Sequence, residues 1–87
     1  MSVPEELKDL RERFRRSLAD CAAVLDCSLE TYRQSELGNR PISGGELARL
    51  ADSYGMPLMA AFPSYRPTAD ELALIRHMSR GVAVAAA

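Results

Sequence analysis

The sequence has no tryptophan, one histidine, two cysteines and no excess of either charge worth the name. Each scarcity excludes something. Eleven Lys+Arg against twelve Asp+Glu give a formal net charge of −1. A polybasic binder that grips anions by bulk charge is thereby excluded. Cys21 and Cys27 lie six positions apart, which suits neither a CxxC redox pair nor zinc-ligand spacing, and His77 is too distant to complete a metal set. The two thiols read as small hydrophobes in a reducing compartment. With a single histidine and no paired-carboxylate or Cys/His spacing, the chain is expected to have no metal, no cofactor and no enzymatic site. The apolar tail from Gly81 to Ala87 is too short to cross a bilayer. The start, with Pro4, Glu5, Glu6 and Lys8, lacks the basic-then-apolar order of a secretory signal. A cytoplasmic protein without membrane contact is expected.

What is present is an ordinary globular balance, 47% hydrophobic and 26% charged over 87 residues. A chain of this size makes one small core and buries roughly 60–65% of its unfolded surface. Its apolar residues recur at helical spacing and nowhere alternate as a strand would. Ser2-Val3-Pro4-Glu5 is a capping box with proline in the first turn, followed by an apolar stripe of Leu7, Leu10 and Phe14. Glu5 and Glu6 at one end and Arg15 and Arg16 at the other suit the helix dipole. Ser17 opens a second helix that turns Cys21, Ala22 and Leu25 inward. Ser28 caps a third, which runs to about Leu37 and ends at Gly38-Asn39.

Pro41 keeps Arg40 out of helix. Ser43-Gly44-Gly45-Glu46 then opens a fourth helix facing inward with Leu47, Leu50, Ala51 and Tyr54. A short fifth runs from Met56-Pro57 to about Phe62. Thr68-Ala69-Asp70-Glu71 is a last capping box, for a helix carrying Leu72, Ile75 and Met78 on one side. The expected class is all-α: five helices and a C-terminal sixth.

Helices two and three are joined only by Asp26-Cys27-Ser28, and such a short turn forces a steep crossing with the third helix projecting. The stretch Leu18-Ala19-Asp20-Cys21-Ala22-Ala23-Val24-Leu25, then Glu36-Leu37-Gly38-Asn39-Arg40, then Leu50-Ala51-Asp52-Ser53-Tyr54-Gly55, occurs in that order. This ordered set resembles the phage-repressor and Cro type of helix-turn-helix domain, the XRE family, from about Leu7 to Phe62. The resemblance implies a five-helix Cro-like domain over residues 1–63. Residues 64–87 would supply a C-terminal helix and tail that mediate dimerisation.

It further implies a transcriptional regulator, a dimeric repressor that reads double-stranded DNA with its third helix. Leu29, Glu30 and Gln34 then fall at base edges: Gln34 suited to adenine, Glu30 to cytosine N4, Leu29 to a thymine methyl. Arg33, Asn39 and Arg40, with Ser17, Ser43, Arg15 and Arg16, fall near phosphates. Arg11 and Glu36 would pair as a structural clamp between the first and third helices. The sequence departs from the family pattern at four places: Leu18 where glutamine is common, Asp26 where glycine is usual, Ser35 at an apolar position, and Glu30 on the reading face.

Several residues have a second reading. Glu36 also fits a solvated helix end. Arg11, Arg13, Arg15 and Arg16 spread round a helix as a solvated face as readily as they make a phosphate patch. Tyr32, Phe62, Met56 and Met59 read as core, whereas Tyr54 and Tyr65 fit either core or a subunit interface. Leu72, Ile75 and Met78 suit a homodimer interface or a helix folded back on the core. The alternative function is a protein-interaction module on the same scaffold, antitoxin-like or an assembly subunit, whose partner is a protein in place of DNA.

Overall fold

Four serines start four helices. In the computed structural model, which describes residues 1–66, Ser2, Ser17, Ser28 and Ser43 each hold an extended backbone. Each side-chain oxygen accepts the amide three residues on. These caps open α1 (Val3–Arg13), α2 (Leu18–Val24), α3 (Leu29–Glu36) and α4 (Gly44–Ser53). At Ser2, Ser17 and Ser43 the bond is returned, by Glu5, Asp20 and Glu46 respectively, so two otherwise unpaired amides are satisfied at each helix start. Pro57 begins the short α5 (Leu58–Ala61), whose entry has no side-chain cap. Among the described residues there are five α-helices and no strand. The expected sixth helix, with Leu72, Ile75 and Met78, lies outside the described residues.

The core takes one or more residues from every helix: Leu7 and Leu10 of α1, Cys21 and Ala22 of α2, Tyr32 of α3, Leu47 and Leu50 of α4, and Ala61 of α5. Phe62 is buried just beyond α5. α2 packs on α3 and α4, α1 on α3, and α4 on α5. Burial of these side chains, more than any single polar bond, holds such short helices together. Glu6 is buried beside the core and its carboxylate accepts the Ser64 amide at 3.1 Å, which returns the chain after α5 to the first helix.

Three expectations from the sequence need correction, at the end of the first helix, at Phe14 and at Met59. The first helix ends at Arg13, not at Arg16. Arg15 takes the left-handed conformation (φ 55°), and the chain turns there toward α2. Phe14 therefore leaves the apolar stripe: it is 42% exposed and lies against Tyr54 with ring centroids 4.7 Å apart. Tyr54 belongs to the core, where its hydroxyl and the Cys21 thiol lie 3.3 Å apart in a hydrogen bond. Met59 is 46% exposed, on the outer side of α5, whereas Met56 does pack on the core.

Candidate nucleic-acid interface

The turn between α2 and α3 is made tight by Asp26, which adopts φ 53°. Left-handed geometry costs little at aspartate compared with most residues, and it lets the Cys27 amide return to the Ala22 carbonyl at 3.0 Å. Ala22 is buried, as the close packing of α2 on α3 requires. α3 is thereby seated by one side and presented by the other. Its inward side carries Tyr32 and Ser35, both almost fully buried. Burial lifts the Tyr32 phenol well above its usual pKa.

Glu36 completes that anchorage. Arg11 donates from Nε to Glu36 Oε2 at 2.7 Å and from Nη2 to Oε1 at 3.1 Å, a two-pronged bond between side chains only 15% and 7% exposed. The Glu36 carboxylate raises the Arg11 pKa. Arg11 Nη1 also reaches the Arg16 carbonyl at 3.2 Å, so one guanidinium joins α1, α3 and the turn before α2.

Glu30, Arg33 and Gln34 occupy the opposite side of α3, flanked by Leu29 at its first position and Leu37 just past its end. Leu29 and Leu37 are 46% and 55% exposed. Between them runs a hydrogen-bonded chain. Glu30 Oε1 accepts from Gln34 Nε2 at 2.6 Å and from Arg33 Nη1 at 3.0 Å, and Gln34 Oε1 accepts from Asn39 Nδ2 at 2.9 Å. The Gln34 amide, with Arg33 behind it, holds the Glu30 carboxyl below the usual carboxylate range. The three residues expected at base edges thus share one outward face, with Arg33 and Asn39 linked to them.

The residues expected near phosphate are more dispersed. Gly38 (φ 80°) turns the chain after α3, and Arg40 folds back from the loop. Its Nη1 donates to the buried Ser35 hydroxyl at 2.9 Å and its Nη2 to Glu46 Oε2 at 3.1 Å. The polar Ser35 at an otherwise apolar position is satisfied in this way, since it also donates to the Thr31 carbonyl at 3.4 Å. Ser17 and Ser43 are helix caps, their hydroxyls engaged at the starts of α2 and α4. Arg15 is exposed at the corner between α1 and α2.

Arg16 departs from its expected place. It donates to the Ser53 hydroxyl at 2.8 Å and the Ser53 carbonyl at 2.6 Å, and its guanidinium carbon stands 4.2 Å from the centroid of the Tyr54 ring. These contacts hold Arg16 against the end of α4, with a cation–π stack on Tyr54. Sequence reasoning also passed over Arg49, which donates from Nη2 to the Val24 carbonyl at 2.8 Å and so caps the C-terminal end of α2. Partners 25 and 37 residues away carry no local sequence signal.

No helix among the described residues is long and apolar enough to cross a membrane. Comparison with curated proteins and with solved structures gave no match. A profile for the helix-turn-helix domain does match, over residues 5–61, from the first turn of α1 to the last residue of α5. The matched span contains the capped α2, the left-handed Asp26 and the anchored α3 in the order that motif requires, and the chain belongs to the helix-turn-helix domain family.

Proposed function

We propose that this domain is a sequence-specific DNA-binding transcriptional regulator, a dimeric repressor that places α3 in the major groove and blocks access to its site. One observation carries the reading: α3 is fixed from behind by Tyr32, Ser35 and the Arg11–Glu36 bond, while Leu29, Glu30 and Gln34 face outward together. Membership of the helix-turn-helix family supports DNA as the ligand of that face. Gln34 offers an amide for adenine, Glu30 an acceptor for cytosine N4, and Leu29 an apolar contact for a thymine methyl. Arg15, Arg33, Asn39 and Arg40, with the helix starts at Ser17 and Ser43, would flank the groove on the phosphate side. No catalytic step and no cofactor belong to this reading, and the cytoplasm is its place of action. The second half-site is supplied by a second copy of the chain, joined through Leu72, Ile75 and Met78.

A second reading has one observation in its favour. The outer face of α3 is close to neutral, because Glu30 offsets Arg33, and it carries two exposed leucines. Such a face also suits a protein partner. Enrichment of the full chain's ligands from a randomised duplex pool separates the two. The repressor reading expects a two-fold-related sequence with half-sites about one helical turn apart. A pool that gives no enriched sequence turns the assignment to a protein partner.

A further inference from the structure

The hydrogen-bonded chain on the outer face of α3 has no evident structural purpose. Glu30 and Arg33 are both largely exposed, and an exposed pair three residues apart on a helix contributes little to folding. Its effect is on what the face can offer a ligand. With Arg33 and the Gln34 amide nitrogen both turned to Glu30, the face presents a carboxylate where a groove lined by phosphates would arrive. Most base edges in the major groove at such a point are acceptors: guanine O6 and N7, adenine N7, thymine O4. A carboxylate pressed against them loses water and gains no donor, which is costly. Two edges donate, cytosine N4 and adenine N6, and because adenine N6 stands beside the N7 acceptor, which repels a carboxylate, cytosine N4 is the edge that fits. A carboxylate that accepts from N4 no longer needs Arg33, and Arg33 lies close enough along the helix to turn to the backbone.

We propose that Glu30 is a selectivity gate that withholds Arg33 from the DNA backbone until a cytosine amino group takes the carboxylate. Base reading and phosphate binding are then one coupled event on α3, and non-cognate duplex is refused twice, by an unpaired carboxylate and by an arginine that stays at home. This rests on the DNA-binding reading above and names the base at which its half-site is checked. It also accounts for an acidic residue on the reading face of a chain with no basic excess.

The test uses the full chain and three variants, Glu30→Gln, Arg33→Ala and the double variant, titrated against a duplex enriched from the randomised pool and a scrambled duplex at several salt concentrations. Glu30→Gln keeps the side-chain shape and removes the charge. It is expected to tighten binding to the scrambled duplex about tenfold. The slope of log K against log salt should steepen by about 0.9, the equivalent of one added phosphate contact. Arg33→Ala alone should leave the scrambled duplex unaffected and weaken the enriched one, and in the double variant the gain should vanish. Thermal midpoints of the wild type and Glu30→Gln should coincide. If the wild type selects a sequence but Glu30→Gln leaves the scrambled duplex unchanged, or if its gain survives Arg33→Ala, the gate is wrong and the DNA-binding reading stands. If neither protein binds any duplex, the DNA-binding reading itself falls and takes the gate with it.

Discussion

Arg11 shows how one side chain can decide where a whole helix lies. Its guanidinium bonds twice to Glu36 and once to the Arg16 carbonyl, with little water around the pair. Removing one partner leaves the other charge largely buried and unanswered, and that penalty exceeds what the intact pair contributes. Arg11→Ala should therefore cost about 3 kcal/mol in urea unfolding. The Arg11→Ala/Glu36→Ala double variant should lose much less than the two single losses added together. Gln34 acts at the opposite side of α3 and should behave in the opposite manner. Gln34→Ala should leave the unfolding midpoint almost unmoved, yet relax base preference at a single position by about 1–3 kcal/mol, read by titrating duplexes substituted base by base.

At the scale of elements, the helix starts were legible because their chemistry is local. Ser2-Glu5, Ser17-Asp20, Ser28-Thr31 and Ser43-Glu46 are contacts over three residues, and sequence shows them directly. The ends were less legible. Arg15 sits in the left-handed region, where glycine or asparagine is the ordinary choice, and nothing in its side chain announces it. That one turn removed Phe14 from the core stripe and took Arg15 and Arg16 off the end of α1. Arg15→Gly checks this. Relief of roughly 1–2 kcal/mol of backbone strain, less about 0.5–1 kcal/mol for the freedom glycine gains when unfolded, should leave the variant about 0.5–1 kcal/mol more stable. If Arg15 touches phosphate as proposed, the same variant should bind all duplexes more weakly, so stability and affinity move in opposite directions. Asp26 was easier to place, since the resemblance puts a glycine there and the structure gives it a positive φ.

For the whole molecule, the class and order of the helices followed from periodicity and caps, and the family match spans all five. The candidate site was legible in part. Which residues of α3 face outward follows largely from helical spacing once Tyr32 is recognised as core, because Glu30, Arg33, Gln34 and Leu37 turn away from it, whereas Leu29, one turn before Tyr32, is exposed because it stands at the first position of the helix. What those side chains do to each other did not follow, and neither did the bonds that hold Arg16 to Ser53 or Arg40 to Ser35 and Glu46. Those depend on elements brought together only by folding, or on rotamers chosen among several neighbours. Near-neutral charge means that a general field does not supply affinity for DNA, and the proposed reading draws it from placed contacts and a second copy of the chain. The most direct test is a fluorescence-anisotropy titration of the full chain against the enriched duplex and its scrambled control at two salt concentrations. The account predicts saturable binding that prefers the enriched duplex, weakens as salt rises and saturates at two chains per duplex. Equal and feeble binding to both duplexes would contradict it and assign the outer face of α3 to a protein partner.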